Sequence, residues 1–222
     1  MKTSNAFSRR KLTNCACSIA LCAMLGTASA GTLYERSPVL GGNAAPSATN
    51  VFGMRWADSF SLTGSASLDG ISWWGSYLDN VEQTDEFHVS LYSDLTGQGN
   101  VTKDFGAVQV SRFSEPLLTD ANGNAVYRYE FHPGLAVDLS GGTYGLAVDN
   151  FGDSEWLWLE GVGTGGAVYS LSGGDWVAAG LPGNVAFRLD GATPIPEPSF
   201  LALLLLGGAG LGLARRRGTH PQ

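Results

Sequence analysis

The chain has 222 residues, of which 44% are hydrophobic, and a formal net charge of −7. Four basic residues fall within residues 1–30 and three within 215–222, so residues 31–195 hold six basic and 19 acidic residues, a net charge near −13. This excess of negative charge argues against binding to nucleic acid or to an anionic membrane surface. The three cysteines, Cys15, Cys17 and Cys22, all lie within the first 30 residues, which excludes disulfides and cysteine nucleophiles from the rest of the chain.

Residues 1–30 have the pattern of a secretory signal peptide. The basic cluster Arg9-Arg10-Lys11 is followed by the small and apolar run Leu12–Leu25 and by the A-x-A cleavage motif Ala28-Ser29-Ala30. Cleavage after Ala30 makes Gly31 the first residue of the mature protein. Paired arginines also occur in twin-arginine signals, so the choice between the general and the twin-arginine export route stays open.

Residues 31–190 predict a single antiparallel β-sandwich of jelly-roll type. Hydrophobic residues alternate with a period of two, no long window has the period of an amphipathic helix, and Gly-rich turn signals separate the runs at short intervals. Four runs place apolar residues on one face: Phe87, Val89 and Leu91; Tyr127, Tyr129 and Phe131; Tyr144, Leu146 and Val148; Val185, Phe187 and Leu189. Further strands are predicted at Val51–Trp56, Gly70–Tyr77, Val108–Phe113, Glu155–Glu160, Ala167–Leu171 and Trp176–Ala179.

Two groups of aromatic residues are candidates for a glycan-binding surface. In GISWWGSY, alternation places Trp73 and Tyr77 on one face of a strand and Trp74 on the other. In EWLWLEG, the indole rings point outward if the two leucines point into the core, and exposed rings flanked by carboxylates can stack on sugar rings. The alternative is ordinary packing in the core and at the rims. The candidate residues are Trp73, Trp74, Tyr77, Trp156 and Trp158.

The acidic stretch VDNFGDSE offers oxygen ligands for a cation. Calcium takes six to eight oxygens, and an ion in a loop would help a domain that has no disulfides. One hypothesis is therefore a calcium site formed by Asp149, Asn150, Asp153 and Glu155. The other is an acidic hairpin turn without a metal. No further cofactor is expected.

Signals for catalysis are weak. His88 lies in an alternating run, His132 precedes a Pro-Gly turn, and neither lies near a G-x-S-x-G or H-E-x-x-H motif. Nothing singles out a carboxylate pair for glycoside hydrolysis among the 19 acidic residues. We therefore expect a protein that is not an enzyme, with a secreted glycan hydrolase as the less favoured alternative.

The end of the chain combines a linker, an apolar run and a basic cluster. Residues 191–198 form a stiff linker that contains Pro196-Glu197-Pro198, and Ser199–Ala214 is an uncharged run of 16 residues. As a helix this run is about 24 Å long, so it spans a bilayer only if its flanking groups reach the interfaces. The following Arg215–Arg217, within the tail 215–222, place its end in the cytoplasm. The alternative for the apolar run is a buried core helix.

Pro196-Glu197-Pro198, a short apolar helix and Arg215-Arg216-Arg217 together resemble the PEP-CTERM sorting signal of Gram-negative bacteria. The resemblance covers about the last 27 residues, and the stretches GISWWGSYLDN and GGTYGLAVDN also look like a domain common in such proteins. It implies recognition of these residues by exosortase, a membrane-embedded protease or transpeptidase-like enzyme, in bacteria that make extracellular polysaccharide and biofilm.

The resemblance implies an exported protein that is anchored transiently in the inner membrane. Exosortase would sort it to the cell surface or the extracellular matrix, where it would associate with exopolysaccharide. A carbohydrate-binding module is the alternative molecular function.

Overall fold

The chain folds as two antiparallel β-sheets packed against each other, which confirms the predicted all-β sandwich class. The structure is a computed structural model and describes residues 30–78, 85–171, 173–180 and 183–193. The predicted signal peptide up to residue 29 and the predicted sorting tail lie outside these residues. Within the described part of the chain, no helix is long and apolar enough to cross a bilayer.

Short strands make up most of the described residues, as the alternating pattern and the Gly-rich turns predict. In chain order the elements are β1 Ala30–Arg36, β2 Ala44–Pro46, α1 Thr49–Phe52, β3 Met54–Leu62, β4 Ala66–Tyr77, β5 Phe87–Asp94, β6 Asn100–Val108, β7 Ser111–Thr119, β8 Ala125–Phe131, β9 Val137–Leu139, β10 Gly142–Asn150, β11 Trp156–Leu159, β12 Ala167–Leu171, β13 Val177–Ala178 and β14 Phe187–Ala192.

The first sheet is organised around the long strand β4. On one side β4 pairs with β14 and β11, and on the other side with β8 and β9. The strands β1, β2 and β7 extend this sheet from β14, β11 and β8 respectively. The second sheet has the order β13-β12-β3-β10-β5-β6. All pairings between these strands are antiparallel.

The core between the sheets contains the apolar faces that alternation predicts. The inward residues of β5, β10 and the β14 region are all buried, and Tyr129 is buried with Tyr127 and Phe131 packed partly against it. Trp73 and Tyr77 also lie in this core, whereas Trp74 belongs to a separate cluster on the opposite face of the first sheet. The predicted division of GISWWGSY between two faces is therefore confirmed.

Two predicted strands are divided between different elements in the structure. Val51–Trp56 is not one strand, because Thr49–Phe52 form the helical turn α1 and β3 begins at Met54. Val108–Phe113 is also divided, because β6 ends at Val108 in the second sheet and β7 begins at Ser111 in the first. The local alternation continues across this crossing, but the pairing partner changes.

A buried ion pair joins the two sheets near β1. The Arg36 guanidinium lies 3.4 Å from the fully buried Asp58 carboxylate of β3. The backbone N–H of Val185 donates to the same carboxylate at 3.0 Å. Burial raises the pKa of Asp58 to about 6, although the Val185 hydrogen bond and Arg36 both act in the opposite direction.

Candidate functional site

The tryptophans predicted as a glycan platform lie in the interior of the sandwich. Trp73, Trp156 and Trp158 have exposures of 0%, Tyr77 of 2% and Trp74 of 6%. The predicted outward orientation of Trp156 and Trp158 is therefore wrong, and these residues do not present a ring face to solvent.

The reason is that β11 is an inner strand, covered on both faces. It pairs with β4 on one side and β2 on the other. Its two tryptophans enter the core, and Leu159 packs with Trp74, Val126 and Ala186 in a second cluster on the outer face. A strand buried on both faces carries apolar residues at every position, so alternation could not decide which ones face solvent.

The buried rings instead form one aromatic cluster. Phe87 contacts Trp73, Tyr129 and Trp156 at centroid distances of 5.2, 4.7 and 5.0 Å. Such pairs each contribute about 0.5–1.5 kcal/mol beyond the burial of their area. The role of these residues is to stabilise the sandwich, which contains no cysteine after residue 30.

The acidic residues predicted to bind calcium do not form a metal-binding group in the described part of the chain. The described residues contain no group of three or more Asp, Glu, His or Cys side chains that could hold a metal. The buried Asp149 carboxylate instead accepts hydrogen bonds from the backbone N–H and the hydroxyl of Thr49, which begins α1. The Asn150 side-chain oxygen accepts from the Gly152 N–H at 2.8 Å. Both side chains therefore hold local structure, and Asp153 is exposed.

We expect Asp149 to make stability fall as pH rises. Burial raises its pKa from 3.8 to about 7, although the Thr49 hydrogen bonds and Arg55 act in the opposite direction. His88 lies opposite Asp149 on β5. Because the folded state keeps this proton to a higher pH than the unfolded state, the contribution of Asp149 to stability is fully present below about pH 4 and is lost as pH rises to about 7.

The variant Asp149→Asn tests this expectation by urea denaturation at several pH values. An asparagine oxygen can still accept from the Thr49 N–H, but it does not titrate. A difference of one in pKa corresponds to about 1.4 kcal/mol, so the fall between pH 4 and 8 should shrink by about 2 kcal/mol or more. Asp94→Asn, at a solvent-accessible aspartate with a lowered pKa, should leave that fall in place. An unchanged fall in Asp149→Asn would contradict the assignment.

A cleft lies at the end of the sandwich where β5 begins and β6 and β10 end. Its volume is about 440 Å³, within the range of small-molecule sites. The buried Phe87 and Val108, which are paired across β5 and β6, form part of its lining. Its other lining residues are Asp85, Glu86, His88, Ala107, Gln109 and Phe151.

Asp85 fixes one side of this cleft through contacts to the opposite sheet. Its carboxylate accepts a hydrogen bond from the Tyr77 hydroxyl and lies 3.2 Å from the Arg112 guanidinium. The guanidinium in turn lies 5.1 Å from the centre of the Tyr127 ring. Burial, followed by the hydrogen bond to Asp85, raises the pKa of Tyr77 above its ordinary value, so this hydroxyl stays protonated. The arrangement is a rigid wall with its charges already paired.

His88 and Phe151 form a second, more exposed wall. The two rings meet edge to face at a centroid distance of 5.2 Å, and Phe151 is 39% exposed. Phe151 is held by its backbone N–H, which donates to the Glu86 carbonyl at 2.8 Å. A partly exposed aromatic ring on a fixed backbone is a suitable stacking surface.

The serine, aspartate and histidine next to this wall are arranged in the wrong order for a catalytic triad. Asp104 lies between the other two, accepting from the Ser90 hydroxyl at 3.1 Å and lying 3.7 Å from His88 Nε2. In a triad the histidine must contact the serine hydroxyl in order to take its proton. His132 contacts the Asp69 carbonyl at 3.2 Å on a different turn.

Sequence reasoning missed most of this cleft. Asp85 and Glu86 come just before the predicted inward residues of a strand, and Gln109 lies where a predicted strand was misplaced. Phe151 lies within VDNFGDSE, the stretch interpreted as a calcium loop. One available signal was the scarcity of positive charge, since residues 31–195 hold six basic residues. A carboxylate that forms an ion pair with one of these few basic residues, as Asp85 does with Arg112, is a candidate for a structural role.

The predicted sorting residues Pro196, Glu197, Pro198 and Arg215–Arg217 lie outside the described residues. Comparison of the chain with protein-family models gives no match. A search of curated proteins gives no match either.

Proposed function

We propose that this chain is an exported surface protein, sorted by exosortase through its C-terminal tail and associated with exopolysaccharide. Signal cleavage after Ala30 and tail processing at Pro196-Glu197-Pro198 would release the β-sandwich to the cell surface or matrix of a Gram-negative bacterium. In this proposal the protein is not an enzyme.

The observation that carries the proposal is the pairing of the first and last strands. β1 and β14 are antiparallel neighbours, with Ala30 opposite Ala192 and Gly31 opposite Gly191. Paired residues in such strands lie about 5 Å apart. Ala30, at the first predicted processing point, and Ala192, the last strand residue before the second, therefore lie side by side in one sheet. Glu197 follows Ala192 by five residues, a reach of at most about 18 Å.

This arrangement suits a domain whose two ends connect to segments that insert into the same membrane. The predicted jelly-roll type of the sandwich is part of the proposal. It is supported by repeated crossings between sheets, since β3 lies in the second sheet, β4 in the first and β5 in the second.

We expect Glu197→Ala to block processing without blocking insertion. Glu197 is the one charged residue between 191 and 214, and its flanking prolines fix φ and oppose helix formation, which keeps the backbone open to a protease. The variant should accumulate in the inner membrane at full mature length. Mass spectrometry of the protein released from wild-type cells should give a C-terminus near Glu197.

Two further variants separate sorting from anchoring. Asp153→Ala, which removes an exposed acid from the sandwich, should be processed normally. Neutral replacements of Arg215–Arg217 should weaken membrane retention and orientation, because a 16-residue helix is marginal by itself. Released protein that still contains Phe200–Leu213 would refute sorting by cleavage.

A second candidate function is a carbohydrate-binding module. The tryptophans first considered for that role are buried. The feature that favours it is the cleft lined by Glu86, His88, Gln109 and Phe151, because this cleft offers a partly exposed aromatic ring beside polar groups.

A further inference from the structure

We propose that the cleft beside His88 and Phe151 binds an uncharged sugar unit of a polysaccharide. This inference rests on the proposed association with exopolysaccharide and assigns that association to a site. The shape of the cleft, its lining and the charge of the domain carry the argument.

The size and position of the cleft suit one sugar ring of a longer chain. Its volume of about 440 Å³ accommodates a single pyranose, and its open position at the end of the sandwich allows neighbouring units to extend into solvent. The lining includes Phe87, which pairs with Asn150 and with Val108 across its two neighbouring strands. The site is therefore preformed and requires little ordering on binding.

The lining chemistry suits a ring with one apolar face and several hydroxyl groups. Phe151 offers a partly exposed ring for the C–H groups of a pyranose. Glu86 and Gln109 are exposed and supply acceptors and a donor for hydroxyl groups. The Asp85 carboxylate already contacts Tyr77 and Arg112. It therefore shapes the wall of the cleft and does not bind sugar hydroxyls.

The negative charge of the cleft rim and of the domain favours binding of a neutral glycan over binding of an acidic one. Glu86 adds a negative charge at the rim, and the domain as a whole is acidic. Arg112 lies 3.2 Å from Asp85, which lines the cleft, and so is already paired. Within the described ranges, the other arginines contact Asp58, Tyr92, Glu115 and Asp190. A uronic-acid polymer would meet repulsion from Glu86 and from the acidic domain.

The test uses the full 222-residue chain purified in detergent and two kinds of probe. Gluco-, galacto- and manno-oligosaccharides represent neutral glycans, and polygalacturonate represents acidic ones. We expect saturable binding of at least one neutral series and weak binding of polygalacturonate. Phe151→Ala should weaken neutral binding by about tenfold, the effect of losing one stacked ring. Glu86→Gln should increase polygalacturonate binding, because it removes the negative charge at the rim.

The matched control is Phe113→Ala, because Phe113 is 42% exposed but lies on β7 outside the cleft. Circular dichroism and melting temperature establish that both variants fold. Neutral binding that survives in Phe151→Ala would place the glycan site elsewhere and overturn this inference, while leaving the proposed function standing. Absence of binding to every neutral series would overturn the inference and the exopolysaccharide association together, but would leave tail processing as a separate result. Preference for polygalacturonate would overturn the assignment to neutral sugars.

Discussion

Asp120→Ala should lower the free energy of unfolding by about 4 kcal/mol, because the Asp120 side chain organises the turn between β7 and β8 from a buried position. It is 2% exposed. One carboxylate oxygen accepts from the backbone N–H groups of Asn122 and Asn124 at 2.9 and 2.8 Å. The other accepts from the Ser76 hydroxyl and the Asn124 amide at 2.8 and 2.9 Å.

The effect is large because the donors are themselves buried. Ser76 is 0% exposed and Asn124 6% exposed, so water cannot replace the lost carboxylate. Each buried donor left without a partner costs about 1–3 kcal/mol. Asp120→Asn should cost about half as much as the alanine variant, since its oxygen still accepts from the two backbone N–H groups. Guanidinium denaturation of the three proteins measures the series.

Asp94→Ala is the matched control for this prediction. Asp94 also closes a turn, by accepting from the backbone N–H and hydroxyl of Thr96 and from the Asn100 amide. These bonds lie at the surface, where water takes the place of the carboxylate, so the loss should be small. If Asp94→Ala and Asp120→Ala destabilise the protein equally, burial is not what gives Asp120 its importance.

Gly75→Ala should destabilise the sandwich by about 3 kcal/mol, the cost of forcing an extra methyl group into a packed core. A Cβ atom at position 75 would lie 2.5 Å from three ring atoms of Trp156. That ring is fully buried and is held edge to face by Phe87 at 5.0 Å. It cannot move away without disturbing the aromatic cluster.

A double variant tests this mechanism directly. Trp156→Phe removes the part of the indole that the new methyl group would meet, so Gly75→Ala should cost less in that background than in the native protein. Gly134→Ala is the control, since a Cβ atom there meets nothing within 4 Å. Denaturation with tryptophan fluorescence as the readout gives all four free energies. Strict additivity of the two substitutions would rule out the contact as the cause.

The alternation of apolar and polar residues correctly predicted which side chains face the core where a strand has one buried face. The predicted inward residues of β5 and β10 are in the core, and β12 has its predicted bounds, Ala167–Leu171. The same rule failed for β11, because both of its faces are covered by distant parts of the chain. It also missed β6, an edge strand whose residues Val101–Asp104 are exposed, since an edge strand has little apolar pattern to detect.

By itself, the sequence determined the class of the fold and the faces of its half-buried strands, and it predicts the signals at the two ends. These features depend on local periodicity or on short contiguous motifs. Only the tertiary structure decided that Trp156 and Trp158 are core residues and that Asp149 holds Thr49. It also decided that Asp85, His88 and Phe151 border one cleft. The physical reason is that burial and convergence depend on which strands become neighbours, and strand pairing joins residues far apart in the chain.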